Sequence, residues 1–507
     1  MPTLYTALLA QHHPDRHRAS LPKADNESEP ESPFVPEHAL LKSALLEDIS
    51  SSRLLDGPAK RRIGIIGAGF SGLCAGYELE SLGYDVHVYE ARDRVGGRVD
   101  SIRGFAGRDV VEGGAELIGS NHPLWNSYRK HFNLRFSDVK DYRNSPYRFN
   151  GKTLTFDVTQ DLAAEMNKVF GKLSDLAETI VDAFEPWVNP DARSLDAESF
   201  ESWLMKQHCS PLCEEAVRVQ LEADNGYPAD KQSLLGILAM VKGGGFDRYW
   251  TDTELYRCRG GAERLAKSFQ KVLDRSDTRV HLSSPVTAIT KGASGIQLWG
   301  EKKTPLAEVD NVILSIPPSV WSTLDVSSFP ELAEKLGHPP PMGRNVKALF
   351  LFDSRFWQDF ANSPTLSSDG PVDLTWETTE ADRSPANVAM VAFSGAEDAS
   401  KCSSWGAQRQ GNYENELEPP YPGIGKNTRN FQFKDWPNEP WTMASYYFPQ
   451  PGDVLKWGPF WKAGYDDWLH FAGEHTCYAF VGYMEGALAS GFRLARRIAV
   501  RDRILGA

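Results

Sequence analysis

A short βαβ pattern that begins near residue 61 constrains the fold of this chain more than any other feature. The apolar run Ile63–Ile66 is typical of a strand buried on both faces, and Leu73–Leu82 predicts a helix that Gly83 ends. Between them lies the glycine-rich segment 67–72, and a second buried strand follows at Asp85–Glu90. Two strands joined by a helix, with glycines at the first turn, predict a dinucleotide-binding α/β sheet.

Each glycine of this segment has a distinct structural role. Gly67 permits the tight turn, Gly69 lets the backbone approach a pyrophosphate, and Gly72 allows the helix to pack closely on the strand. The helix N-terminus then offers unpaired N–H groups and a positive dipole to the phosphates. Glu90 ends the second strand, where its carboxylate can accept hydrogen bonds from ribose hydroxyls and would repel a 2′-phosphate.

A second glycine-rich loop, Arg92-Asp-Arg-Val-Gly-Gly-Arg98, follows at once, and nicotinamide enzymes have no need for it. The loop resembles the double-glycine extension of the flavin amine oxidase family, although a basic surface turn would have the same composition. The resemblance implies FAD as the cofactor, with Gly96, Gly97 and Arg98 along the pyrophosphate and flavin.

The resemblance extends from about Arg61 to Ala499. Its most specific block is Phe471-Ala-Gly-Glu-His-Thr476 followed by Gly482-Tyr-Met-Glu-Gly486, in which a helix N-terminus would face a flavin carbonyl and Glu474 the ribityl or pyrophosphate region. The residues that the resemblance assigns to FAD are Gly67, Gly69, Phe70, Ser71, Gly72, Glu90, Ala91, Arg92, Gly96, Gly97, Arg98, Gly114, Ala115, Glu116, Val286, Gly473, Glu474, Gly482, Tyr483 and Met484.

The same resemblance implies the catalytic residues. Lys347 matches the family lysine that holds a water against flavin N5, and Tyr483 matches one of two aromatic residues that sandwich the amine. Counting forward along the chain places the second aromatic residue at Tyr446. Counting backward from the following motif reaches Ala444 instead, which is not aromatic, so we favour Tyr446. Trp441 is expected to form a further wall. The alternative for Lys347 is a surface lysine that closes a strand. The alternative for the aromatic residues is that they only fill the hydrophobic core.

Some family members attach FAD through a cysteine in the stretch from Pro440 to Gly452, which contains none here. FAD is therefore expected to be bound without a covalent link. The six cysteines are sparse, and Cys209 and Cys213 lack a second pair of ligands, so neither disulfides nor a metal site is predicted.

The expected reaction is oxidation of an amine or an L-α-amino acid, with hydride transfer to the flavin, release of ammonia and reduction of molecular oxygen to hydrogen peroxide. Glu116 stands where L-amino acid oxidases commonly place an arginine, and its charge favours a cationic substrate. Glu116 could instead pair with a structural arginine, and Arg143, Arg148 or Arg248 could bind a substrate carboxylate.

The fold class expected from these segments is α/β: a Rossmann-like FAD-binding domain assembled from discontinuous segments, with an α+β substrate-binding domain of mixed sheet and helices. The FAD domain is assigned to residues 59–119, 255–320 and 455–507, and the substrate domain to residues 120–254 and 321–454. The substrate domain includes a helical insertion at about 160–240. Residues 1–58 are expected to form a loosely docked or mobile arm with one helix near His38 to Glu47.

Composition excludes several other functions. The net charge of −13 disfavours nucleic acid and anionic membranes as partners, and no window approaches the roughly 18 apolar residues of a membrane helix. No basic residues precede the apolar stretch Leu4–Ala10, so a cytoplasmic protein is expected. A homo-oligomer is left open. The alternatives to an amine or amino acid oxidase are a desaturase or protoporphyrinogen-oxidase-like enzyme, a flavin-containing partner-binding scaffold and a nicotinamide dehydrogenase.

Overall fold

Five parallel strands form the sheet that carries the glycine-rich segment in the computed structural model, which describes residues 4–12, 61–139, 145–275, 279–360, 362–379 and 386–504. Across this nucleotide sheet the strands run in the order Val280–His281, Asp85–Tyr89, Arg62–Ile66, Asn311–Leu314 and Leu469–Phe471. The central strands are almost entirely buried because both faces are covered, as parallel sheets require.

Helices cover one face of the nucleotide sheet. Helix Phe70–Ser81 packs against Met484–Arg501 and Glu263–Leu273. A Cβ atom at Gly491 would lie 2.3 Å from the carbonyl oxygen of Ser71, so only glycine lets the first two helices approach so closely. The first helix begins at Phe70, three residues earlier than predicted. Gly69 has an extended backbone and is the N-cap, so the helical turns start at the next residue. A three-stranded antiparallel sheet of Ala288–Lys291, Ile296–Trp299 and Pro305–Val309 contacts the other face.

A seven-stranded mixed sheet forms the second centre of the fold. Its order is Thr428–Asp435, Asn345–Phe352, Val388–Gly395, Leu374–Glu377, Leu366–Ser368, Tyr147–Phe149 and Lys152–Thr153. In Asn345–Phe352, even-numbered apolar residues join one hydrophobic core, whereas Leu349 and Leu351 join another. Because side chains alternate along a strand, Lys347 lies on the same face as Leu349 and Leu351.

Helices predominate between residues 156 and 252, a range that includes the stretch of about 160–240 for which the sequence predicts helices. They are Phe156–Ala177, Ala192–Ala197, Phe200–Met205, Pro211–Asn225, Leu234–Gly243 and Asp247–Asp252. Three begin after serines whose side chains cap them: Ser199, Ser210 and Ser233 each accept a hydrogen bond from the backbone N–H three residues later. Gly226, with φ of +70°, ends Pro211–Asn225.

The first described segment corrects the expectation of a loosely docked arm. Residues Leu4–His12 form a helix that packs on Phe156–Ala177, and Leu4 and Leu8 are fully buried. The hydroxyl of Tyr5 donates to Asn167 at 2.6 Å, and the Tyr5 ring packs edge-on against Phe170. Apolar side chains on this helix complete the helical core, which explains the docking. The helix expected near His38 to Glu47 lies outside the described residues.

The remaining elements connect these layers. Two small sheets contain Ser101–Gly104 with Gly107–Glu112, and Leu117–Ile118, Tyr256–Cys258 and Phe136–Asp138. The other helices are Pro123–His131, Pro330–Gly337, Ala396–Ser404, Arg409–Leu417, Ile424–Asn427 and Asp453–Ala463, with 3₁₀ turns at Pro186–Val188, Ala229–Lys231, Glu301–Lys303, Pro318–Thr323, Phe356–Phe360, Gly406–Gln408, Trp436–Asn438, Glu474–Thr476 and Tyr478–Phe480. Within the described ranges, no helix combines the length and apolar character that crossing a membrane requires.

The two main sheets draw their strands from different stretches of the chain. Every strand of the nucleotide sheet lies within residues 59–119, 255–320 or 455–507, and every strand of the seven-stranded sheet lies within 120–254 or 321–454. The division into a nucleotide domain and a substrate domain is our interpretation of this segregation.

Candidate active site

One large cavity, with about 1980 Å³ of empty space including its solvent-open part, connects the glycine-rich segment to the seven-stranded sheet. The cavity extends from both glycine-rich loops to Lys347 and Tyr446, so it joins the residues assigned to the cofactor with those assigned to the substrate. Of the residues assigned above to the cofactor, all except Gly72 line it.

The first glycine loop has the geometry that a bound pyrophosphate requires. Gly67 has φ of +106°, and a Cβ at Gly72 would lie 2.2 Å from the carbonyl oxygen of Gly67, so Gly72 acts through packing rather than contact. A Cβ at Gly69, in contrast, would meet no protein atom within 4 Å. The space beside Gly69 is part of the cavity, where a phosphate group can approach the backbone.

Glu90 is buried beside this loop, with 5% of its surface exposed. One carboxylate oxygen accepts the N–H of Ala68 at 2.7 Å, and the other accepts the N–H of Arg92 at 2.9 Å. Each oxygen retains a lone pair for a further hydrogen bond. Glu90 lines the cavity, so these lone pairs suit ribose hydroxyls.

The second glycine loop pairs with the first. Gly96 donates its N–H to the carbonyl oxygen of Ala68 at 2.8 Å, and a Cβ at Gly97 would lie 3.3 Å from the Cα of Gly69. Both Gly96 and Gly97 have positive φ, at +102° and +60°. The two loops therefore form one continuous wall of exposed backbone, which fits an extended dinucleotide.

Glu474 connects the second loop to the C-terminal helix. Its carboxylate accepts hydrogen bonds from Arg98 at 2.7 Å and from the N–H of Gly482 at 3.0 Å. The N–H of Gly482 is therefore used within the protein, although Gly482 itself lines the cavity. Helix Met484–Arg501 begins two residues later, and Tyr483 and Met484 line the cavity at its N-terminal end.

Lys347 lies at the far end of the cavity, with 6% of its surface exposed. Its Nζ donates to the carbonyl oxygen of Gly114 at 2.8 Å, to Glu116 at 3.1 Å and to the carbonyl oxygen of Glu112 at 3.3 Å. The same Nζ lies 5.2 Å from the centre of the Trp376 ring. Lys347 is therefore a fixed cation whose three N–H groups all have protein acceptors.

Glu116 pairs with an arginine and Lys347 rather than facing a substrate. It accepts hydrogen bonds from Arg257 at 2.7 Å and Lys347 at 3.1 Å, and further bonds from Trp376 and Thr378. Although burial opposes ionisation, the charges of Lys347 and Arg257 outweigh it and lower the pKa of Glu116 to about 2. The structural arginine considered above is Arg257, and the argument for a cationic substrate from Glu116 no longer holds.

Two tyrosines stand beside this charged cluster. Tyr446 and Tyr483 line the cavity, whereas Ala444 is buried and is not among the lining residues. A Cβ at Gly482 would lie 3.4 Å from the Tyr446 ring, so the two tyrosines flank the same space. Trp441 also lines the cavity, although 39% of its surface is exposed.

The sequence analysis missed two acidic residues that line the cavity, Asp224 and Glu254, here called the acidic pair. Asp224 lies in the last turn of helix Pro211–Asn225, and Glu254 precedes strand Tyr256–Cys258. Burial, followed by the charge of Glu254, raises the pKa of Asp224 well above its ordinary value. No motif marks either residue, and only the tertiary fold brings them together.

Two of the three arginines considered for a substrate carboxylate, Arg248 and Arg148, are described, and neither lines the cavity. Arg248 donates to Asp252 at 2.9 Å, one helical turn away, and 60% of its side chain is exposed. Its predicted contact with substrate is therefore wrong in this structure. Arg148 donates to the carbonyl oxygen of Gly151 at the surface. Arg143 lies outside the described residues.

None of the six cysteines lines the cavity, and all six are free thiols. No cysteine is therefore placed to attach a cofactor covalently. The thiol of Cys477 is buried, and burial raises its pKa to about 12, which disfavours the thiolate form.

Comparisons with known proteins identify relatives over most of the chain. The model of a family described as flavin containing amine oxidoreductase matches residues 70–499. A probable flavin-containing monoamine oxidase A of Dictyostelium discoideum is 25% identical over 476 residues, covering 87% of this chain and 97% of the relative. An L-amino acid dehydrogenase of Synechocystis is 23% identical, covering 86% of this chain and 94% of the relative. A solved structure of putrescine oxidase bound to putrescine has a TM-score of 0.76 and 26% identity, and covers 87% of this chain and 99% of that one.

Proposed function

Because the chain belongs to the flavin-containing amine oxidoreductase family, with FAD as its cofactor, we propose that it is an oxidase of amines rather than of L-α-amino acids. The reaction would oxidise the carbon that bears the amino group to an imine, which water hydrolyses to a carbonyl product and ammonia. Bound FAD supplies the hydride acceptor, and molecular oxygen would then be reduced to hydrogen peroxide.

The charge distribution of the cavity is the observation that carries this proposal. The lining cations among the described residues are Arg92, Arg98 and Lys347, and each has protein partners: Thr442 for Arg92, Glu474 for Arg98 and Glu116 for Lys347. The acidic pair lines the same cavity. A substrate carboxylate would meet two acidic side chains and no uncommitted cation in the described lining, whereas an amine can donate hydrogen bonds to those side chains.

The aromatic residues support the same choice. Tyr446 and Tyr483 would bracket the amine, because ring faces attract a cation and still accommodate the neutral form that must react. Their hydroxyls are held in place, since Tyr446 donates to the carbonyl oxygen of Ala223 at 3.3 Å and Tyr483 lies 3.5 Å from the hydroxyl of Tyr249. Preorganised walls of this kind would orient the α-hydrogen and exclude water.

Matched substrate pairs test the proposal. Each L-amino acid and the amine that its decarboxylation would give, such as lysine with cadaverine and phenylalanine with phenethylamine, differ only in the carboxylate. Oxygen consumption with added FAD should be faster for the amine in each pair, and catalase should return half of the consumed oxygen. Faster turnover of the amino acids would overturn the choice of amines, and oxygen uptake that catalase leaves unchanged would overturn peroxide as the product.

A further inference from the structure

A helix too short to be stable alone lies behind the substrate end of the cavity. Helix Asp247–Asp252 has six residues, and an isolated helix of that length is unstable in water. Phe246, which precedes it, has φ of +59°, a backbone conformation that is costly for a bulky side chain. Such a conformation persists only where the surrounding structure holds it, so this short helix depends on its neighbours.

Tyr249 connects the short helix to the substrate end of the cavity. Its hydroxyl lies 3.5 Å from the hydroxyl of Tyr483, which lines the cavity, and donates to Sδ of Met240 at 3.3 Å. Tyr249 itself is buried and does not belong to the cavity lining. A shift of the short helix would therefore remove a partner of the tyrosine that we expect to bracket the amine.

A chain of packed aromatic rings continues from Tyr249 into the helical core. Trp250 meets Tyr249 edge-on, with 4.8 Å between the ring centres, and stacks on Phe170 at 4.1 Å. Its indole N–H donates to Ser174 at 3.2 Å. Phe170 in turn meets Tyr5 edge-on at 5.0 Å. These four buried rings, here called the aromatic chain, are closely packed, so the position of one constrains the next.

The aromatic chain begins on the N-terminal helix, Leu4–His12. This helix packs on Phe156–Ala177, which carries Phe170, and also contacts the short helix directly. It lies outside residues 70–499, the range that the family model matches. Membership in the family therefore assigns no role to the N-terminal helix, although this helix reaches the support of the substrate end.

A second contact joins the N-terminal helix to another wall of the cavity. The backbone N–H of Tyr5 donates to Oε1 of Gln220 at 3.1 Å, and Gln220 is buried. Gln220 and Asp224 are four residues apart on helix Pro211–Asn225, so they lie on the same face of that helix. Burial, followed by the charge of Glu254, raises the pKa of Asp224, whereas a hydrogen bond from Gln220 lowers it. Tyr5 is therefore linked to two cavity-lining residues through separate neighbours.

We propose that Tyr5 is a positioning residue for amine oxidation. The docked N-terminal helix holds the short helix in place through the aromatic chain, and the short helix orients Tyr483 toward the amine. This inference rests on the proposed amine oxidase function and adds to its substrate site an element that lies outside the family match. The FAD-binding loops belong to the nucleotide sheet, so FAD binding should not depend on Tyr5.

Anaerobic rapid mixing of FAD-loaded variants with the best amine of the matched substrate pairs tests this role. The concentration dependence of flavin bleaching gives Kd and the limiting rate constant of reduction, kred. Y5A should lower kred/Kd about 2- to 30-fold, the range that couplings between distant residues typically span, and should leave FAD affinity unchanged. Y5F keeps the ring and loses only the hydrogen bond to Asn167, so it should retain the wild-type ratio.

A double-mutant cycle tests the route from Tyr5 to the cavity. Y249F removes the hydroxyl that faces Tyr483 and should also lower kred/Kd. If Tyr5 acts through Tyr249, the double variant Y5A/Y249F should be no more impaired than the worse single variant.

L162A is the matched control for a loss of stability. Leu162 is buried in the same helix as Phe170, has no aromatic ring and lies about two turns away. L162A should be destabilised in urea unfolding, as Y5A should be, but should keep the wild-type kred/Kd. Circular dichroism and FAD content would establish that each variant is folded at the assay temperature.

The outcomes separate the positioning role from the proposed function. If Y5A keeps the wild-type kred/Kd, if the effects of Y5A and Y249F simply add, or if L162A lowers the ratio as much as Y5A, the positioning role is refuted while the amine oxidase function stands. If no amine bleaches the flavin of the wild-type protein, the proposed function itself fails.

Discussion

Replacing Glu116 by glutamine should destabilise the protein more than most single substitutions, because Glu116 joins Lys347 to Arg257 inside the fold. Glutamine keeps the size of the side chain and removes the charge. The buried Lys347 and the partly buried Arg257 then lose their shared partner. Removing one member of a buried ion pair typically costs about 3–5 kcal/mol.

The pKa gives an independent magnitude. The ordinary value is 4.5 and the folded value is about 2, a difference that corresponds to about 3 kcal/mol of stabilisation of the ionised form at 1.36 kcal/mol for each pH unit. Because the folded pKa is lowered, this stability is present above pH 4.5 and is lost as the pH falls toward 2. We expect E116Q to lose about 3 kcal/mol of unfolding free energy at pH 7 and progressively less below pH 4.5.

Urea denaturation with saturating FAD, followed by tryptophan fluorescence between pH 7 and pH 3, measures this difference. E377Q is the control, because Glu377 is also buried and paired with an arginine, Arg355, but does not line the cavity. E377Q should also be destabilised but should reduce and reoxidise the flavin at the wild-type rates, whereas E116Q should slow these reactions. An E116Q protein within 1 kcal/mol of wild type at pH 7 would refute the proposed charge bridge.

Three further changes test other parts of the account. K347M should slow reoxidation of the flavin by oxygen by about 10²-fold, measured by stopped-flow absorbance, because a preorganised positive charge near the reacting atoms is removed; an unchanged rate would exclude an electrostatic role. G69A should fold with wild-type stability but bind FAD weakly, since its Cβ enters only the cavity, whereas G72A should be destabilised because its Cβ lies 2.2 Å from a backbone oxygen. Flavin fluorescence titration and denaturation separate these effects, and equal behaviour of the two variants would contradict the assignment. L8A should cost about 2–5 kcal/mol in thermal or urea unfolding, because Leu8 is fully buried; a loss below about 0.5 kcal/mol would show that the N-terminal helix contributes little.

The nucleotide-binding half of the cavity could be predicted from the sequence because its requirements are local. A tight turn, a close backbone approach and a helix start each require glycine at fixed spacing, and Glu90 follows within one βαβ unit. The structure accordingly places Gly67, Gly69, Glu90, Gly96 and Gly97 in the lining of one cavity. Helix Phe70–Ser81 begins three residues earlier than predicted, because the sequence alone does not distinguish a glycine that caps a helix from a glycine in a loop.

The substrate half could not be predicted in the same way, because its contacts join distant parts of the chain. Glu116 and Arg257 are 141 residues apart in sequence, and nothing near Glu116 indicates its partner. Arg248 appeared free in the sequence, but Asp252 lies one helical turn later and pairs with it. No motif marks Asp224, and only the tertiary fold brings it to the cavity.

The N-terminal segment illustrates a different limit. Polar and turn-forming residues dominate the first 58 positions, so composition favoured a mobile or loosely docked arm. The nine residues Leu4–His12 are too few for a stable isolated helix, and their helix depends on tertiary packing against Phe156–Ala177. A short apolar segment of this kind has no sequence signal that distinguishes docking from disorder.

Anaerobic addition of an amine to the FAD-bound protein tests the central claim most directly. We predict that the flavin absorption band bleaches with an amine, that it stays unchanged with the corresponding L-amino acid at the same concentration, and that it returns with hydrogen peroxide when air is admitted. A flavin band that no amine bleaches would contradict the account.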